Sequence, residues 1–143
     1  MGSTKDFLET AVGEIYNGTI TITNLDIIKD RWQTALHYQG RPVVLENFTI
    51  IKGVAEGDAP QDYYLLLATT KDKRLKTASL LTLKGSKFYF EKQEGAVGEV
   101  SLNILCSGEC GEGCDPVVKI NTGLKYLNCS HCLDCTKSEK GIY

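Results

Sequence analysis

The sequence predicts an α+β fold: two N-terminal helices packed on one face of an antiparallel β-meander, followed by a cysteine-rich C-terminal β-hairpin segment. Three observations predict it. Apolar residues recur at helical spacing up to residue 40, the period changes to two from Pro42 onward, and all six cysteines fall between Cys106 and Cys135. At 143 residues the chain reads as a single domain able to bury a core without covalent staples. It divides into a body at 4–105 and a cysteine-rich segment at 106–143.

Phe7, Leu8, Ala11, Val12, Ile15 and Tyr16 form the first helical stripe, with Ser3 or Thr4 placed to cap it and Gly18 to end it. Thr alternates with Ile20 and Ile22 over 19–23, a short half-buried strand. Asn24 then caps a second helix whose stripe is Leu25, Ile28, Trp32, Ala35 and Leu36, with Trp32 as packing anchor and Gly40 as the stop. Strands are predicted at 43–52, 62–70, 75–84, 87–91 and 97–106, separated by turn chemistry. A two-residue loop at Gly85-Ser86 pairs Lys84 with Lys87, Leu83 with Phe88 and Leu81 with Phe90. Leu81, Leu83, Phe88 and Phe90 then share the covered face, and Thr82, Lys84, Lys87 and Tyr89 face outward.

The cysteines read C-x3-C-x3-C, fourteen residues, then C-x2-C-x2-C: Cys106, Cys110, Cys114, Cys129, Cys132 and Cys135. Between the clusters, two β-prone runs around Asn121-Thr122-Gly123 predict a hairpin in which Ile120 faces Leu124 and Val117 faces Leu127, bringing Cys114 beside Cys129. Two chemistries suit this arrangement. An even count in a loop-rich terminal segment suits three disulfides in an oxidising compartment. Alternatively, Cys110, Cys114, Cys129 and Cys132 resemble a zinc ribbon, although the first spacer is three where such knuckles have two, and Cys106 and Cys135 stay unexplained. The spacing does not follow the ferredoxin pattern. Cys129-Ser130-His131-Cys132 has the outline of a redox pair, but without the strand-to-helix context such pairs occupy.

Catalytic signatures do not emerge. His37 sits where it favours a helix carboxyl end; His131 is a candidate metal ligand that reads rather as a solvent-facing loop residue; Glu109 and Glu112, candidate carboxylate bases, read as solvated loop residues; no phosphate loop, nucleophile elbow or zinc-protease motif is present. Sixteen basic against eighteen acidic residues give no global argument for nucleic acid. Residues 71–92 are nonetheless locally basic, with seven basic and two acidic groups. Lys71, Lys73, Arg74, Lys84, Lys87 and Tyr89, with Lys76 and Lys92 nearby, are the candidate partner-binding set, although lysines at turns and on outer sheet faces also serve to keep strands unpaired. No run approaches the length of a membrane span.

Met1-Gly2-Ser3 reads as a cloning scar, so a signal peptide or a lipid anchor upstream of Thr4 is compatible with the chain. The expected function is a non-catalytic, extracytoplasmic interaction module, secreted or surface-anchored, with a disulfide-stapled C-terminal segment, no cofactor, and a protein or glycan partner. A zinc-binding intracellular adaptor is the alternative, and a small redox or iron-sulfur carrier comes third.

Overall fold

The second half of the stretch expected to be the first helix is instead the first strand of a β-hairpin. In the computed structural model, which describes residues 7–38, 40–57, 61–95, 98–108, 113–122, 124–130 and 135–142, Asn17 and Gly18 both take positive φ, 51° and 79°. Such a turn matches the twist of two antiparallel strands. It pairs β1 (Gly13–Tyr16) with β2 (Thr19–Ile22). Helical backbone in this stretch is confined, among the described residues, to Phe7 and Leu8. The tight turn outweighed an apolar spacing that could be read either way.

The one helix laid out among the described residues is α1 (Leu25–Ala35). Asn24 occupies its N-cap position, but in a left-handed conformation and without a side-chain cap. Its amide Nδ2 instead donates to the Ala11 carbonyl at 2.8 Å, tying the helix start to the chain ahead of β1. Trp32 is fully buried as expected, with ring centroids 5.7 Å from Phe48 and 6.1 Å from Phe90.

Strands make up most of the remaining chain. After a two-residue pair, β3 (His37–Tyr38) and β4 (Arg41–Pro42), come β5 (Glu46–Gly57), β6 (Gln61–Thr69), β7 (Leu75–Lys84), β8 (Lys87–Phe90), β9 (Lys92–Gly95), β10 (Gly98–Ser107), β11 (Pro116–Asn121), β12 (Leu124–Cys129) and β13 (Thr136–Ile142). Eleven of them form one sheet, with a main path β12-β11-β5-β6-β7-β8-β1-β2. Except for the parallel contact of β11 with β5, the pairings are antiparallel. Two helices on a meander are therefore replaced by a mostly β architecture in which one helix, α1, is laid out among the described residues.

The sheet forks at β7. Its second half pairs with β8 in the predicted register, Leu81 opposite Phe90 and Lys84 opposite Lys87. Because β8 has only four residues against ten in β7, the first half of that edge is left open. There β10 binds, with Leu75 opposite Ser107 and Ser79 opposite Asn103. At the fork the Glu91 N–H donates to the Leu80 carbonyl at 3.0 Å. The far edge of β10 carries β13 over seven residue pairs, from Ser101–Ile142 to Ser107–Thr136. Residues 106–143 thus supply a strand to the main sheet as well as a hairpin.

Alternation along the shared strands builds a core on each face. One face carries Leu66, Leu75, Leu81, Phe88, Phe90, Leu105 and Ile142 beneath α1, with Trp32, Ile28 and Leu36 from the helix side. The opposite face carries Leu65, Ala78, Leu80, Ile104 and Cys106, met by Cys114, Val118, Ile120 and Leu127. The β11–β12 register is one residue off the expectation: Val118, not Val117, faces Leu127, and Asn121 faces Leu124. A one-residue slip exchanges the faces. This register points Val118, Ile120 and Leu127 into the second core, where burial favours them.

Candidate functional site

The second core is closed covalently. Cys106 in β10 is bonded to Cys129 at the end of β12, with Cα atoms 5.7 Å apart, and Cys114 is bonded to Cys135, with Cα atoms 6.0 Å apart. Along the path β12-β11-β5-β6-β7-β10, four strands separate β12 from β10. The sheet must therefore curl until β12 returns over β10, and the two bridges clasp the resulting seam. Further along it, Lys125 and Glu91 pair at 3.8 Å beside a cavity of about 180 Å³ floored by Leu80, Leu102 and Leu127.

Each expected cysteine that can be placed is a disulfide partner. Cys114 and Cys129, two of the four ligands of a zinc ribbon, are bonded to Cys135 and Cys106 respectively and not to each other. Cys110 and Cys132 lie outside the described residues, as do His131, Glu109 and Glu112. Among the described residues, no group of three or more His, Cys, Asp or Glu is placed to hold a metal ion.

The basic turn between β6 and β7 packs under this seam. Gly113, at φ +81°, lies so close that a Cβ there would run into the Lys73 carbonyl oxygen, and the Gly108 N–H donates to the Arg74 carbonyl at 3.1 Å. Lys76, whose side chain is only 10% exposed, forms an ion pair with Asp115, directly after Cys114. Asp115 is fixed in turn, its N–H donating to the Ser130 hydroxyl and its carbonyl accepting from the Ser130 N–H. Within the turn, the Thr70 hydroxyl and the Arg74 N–H both donate to the Asp72 carboxylate, at 2.8 Å and 3.1 Å. These bonds, Thr70 first, hold the Asp72 carboxyl below the usual carboxylate range.

The candidate binding set is divided between two sites. Lys71, Lys73 and Arg74 stand at the start of β7, whereas Lys84, Lys87 and Tyr89 belong to the hairpin at its other end, roughly 30 Å away at the ordinary rise of a strand. At the hairpin, Lys84 lies over the Tyr89 ring, 5.8 Å from its centroid. Lys92 pairs with Glu9 at 2.5 Å, a hydrogen bond that raises the lysine pKa above its ordinary value.

A feature outside the expected set lies beside the basic turn. The chain from Arg41 to Glu46 and the turn from Thr70 to Leu75 enclose an open cleft of about 970 Å³. Pro42, Val43, Val44 and Leu75 give it an apolar lining, and Arg41, Lys71, Glu46 and Asp72 supply the charges. Sequence patterning places Val43 and Val44 in a strand, yet β5 begins only at Glu46. The break in pairing that makes the cleft is a tertiary event.

Comparison with known protein families, curated proteins and solved structures finds no match to this chain. No helix among the described residues is long and apolar enough to cross a membrane.

Proposed function

We propose that the protein is a non-catalytic interaction module that works outside the cytoplasm, secreted or anchored at a cell surface, and presents a covalently braced surface to a partner protein. One observation carries the reading: all four described cysteines are paired in bridges that clasp the seam of the sheet. Disulfides persist in oxidising compartments and are rare where glutathione keeps thiols reduced. Here they brace the ground on which the basic turn and the cleft are built, through Gly113, Lys76 and Asp115. A surface held in one shape loses less entropy on binding, which is what a recognition module requires.

The test follows the thiols in the organism of origin. Cells making the native gene product are quenched in acid, the thiols are alkylated without reductant, and the fractions are separated. The expected result is unalkylated protein outside the cytoplasm. Its intact mass should lie about four daltons below the reduced mass for the two bridges described, or about six if Cys110 and Cys132 are bonded as well. Cytosolic protein with alkylated cysteines and stoichiometric zinc would overturn the reading in favour of the metal-binding adaptor.

A further inference from the structure

The cleft beside the basic turn has an unused backbone edge. Residues 43–45 link β4 to β5, and their side chains are buried, exposed and buried in turn, the alternation of an extended chain. Val43 and Leu45 are buried, and their N–H groups donate to the Leu36 carbonyl and the Gln33 Oε1. Val44, between them, turns the other way. Its side chain is 66% exposed, and its N–H and C=O make no hydrogen bond among the described residues. A donor and an acceptor without partners on one residue that lines a cleft are what an added strand pairs with.

The charges select the kind of strand. Arg41, Lys71 and Glu46 enter no ion pair or hydrogen bond among the described residues, whereas the Asp72 carboxylate accepts from the Thr70 hydroxyl and the Arg74 N–H. A guanidinium and an ammonium on one cleft lining suit a carboxylate, which an arginine fork can bind through two hydrogen bonds. Glu46, on the same lining, repels any second anionic group, so a polyanion is disfavoured. Pro42, Val44 and Leu75 offer apolar surface to aliphatic side chains, while an acyl chain would leave the Val44 backbone groups unpaired.

We propose that the cleft captures the carboxyl-terminal end of a polypeptide. The peptide backbone pairs with Val44, its aliphatic residues lie on Pro42, Val44 and Leu75, and its terminal carboxylate is held by Arg41 and Lys71. This deepens the reading of the chain as an interaction module by naming the chemistry of its partner.

The experiment titrates the purified, oxidised, ¹⁵N-labelled protein with N-acetyl-Thr-Val-Thr-Val as the free acid, in parallel with the same peptide as its C-terminal amide and with decanoate. The expected result is a saturable shift of the Arg41, Val44 and Lys71 amide resonances by the free acid, with the amide binding about tenfold more weakly, as loss of a charge-assisted hydrogen bond implies. The double substitution Arg41→Gln and Lys71→Gln, both on exposed side chains, should erase the difference between acid and amide while leaving the rest of the spectrum in place. Absence of peptide-induced shifts at these residues, equal binding of acid and amide, or shifts from decanoate alone overturns the proposal. Because the titration is indifferent to compartment, its failure is distinguishable from failure of the thiol experiment.

Discussion

The two faces of the sheet are closed by different means. Under α1 the core is large and aromatic: Trp32, Phe48, Phe88 and Phe90 pack with Phe7, Tyr64 and a set of leucines. The opposite face buries small and aliphatic side chains, Ala55, Ala78, Leu80, Ile104 and Val118 among them, with the half-buried Tyr63 packed against them, beneath a hairpin that is an extension of the same sheet. A separate helix brings its own apolar stripe and stays in place by burial. A sheet folded back on itself brings less surface to its seam, and there two disulfides replace packing energy with chain constraint. Cystines in a domain of this size thus need not mark a small core; here they sit where a curl would otherwise open.

The largest effect that could break this comparison is at Trp32. Trp32→Ala should cost about 3 to 5 kcal/mol by chemical denaturation, a cavity cost in the larger core. Trp32→Phe should cost much less, because it keeps most of the ring volume while giving up an indole N–H that has no hydrogen-bond partner among the described residues. If both cost the same, the helix-side core does not depend on the anchor's volume.

Next comes the seam. Replacing Cys106 and Cys129 together by Ser should cost about 3 kcal/mol, the constraint expected for a loop closed across 23 residues. Hydrogen exchange should then accelerate in β11 and β12 while the α1 amides keep their protection. Equal loss of protection on both faces would show that the two cores unfold as one.

A smaller effect is expected at Asp115→Asn, which leaves Lys76 buried without its carboxylate. Solvent reaches Asp115, so the loss should be about 1 kcal/mol, read from the denaturation midpoint at low and high salt. The smallest concerns Asp72. Its lowered pKa means that the turn bonds are intact at neutral pH and above the ordinary carboxylate range, and are lost as pH falls through the folded value. Acid titration by NMR should therefore show local loosening at residues 70–74 only at low pH, absent in Asp72→Asn, with no matching change under α1.

Several parts of this design were legible in residue order. The β7–β8 hairpin could be paired residue by residue because a two-residue loop and four large apolar side chains leave one register that buries them all. Trp32 was identifiable as an anchor by its place on the helical stripe, and the six clustered cysteines signalled covalent or metal chemistry. Asn17-Gly18 is a local signal too: an Asn-Gly pair flanked by β-prone residues outweighs an apolar stripe that fits two periods.

What the sequence determined by itself was therefore local: turn chemistry, alternation, and the stripe of α1. The tertiary structure alone decided that β10 would leave the meander to fill the vacant half of β7, that β12 would return over β10, and that Cys106 would meet Cys129 instead of Cys114. It also decided that Val44 would be left between two pairings, exposed and with its backbone groups unbonded among the described residues. These outcomes depend on comparing strand lengths and edges far apart in the chain. No local pattern of residues carries that comparison, because an unpaired edge is a property of two strands and not of either one.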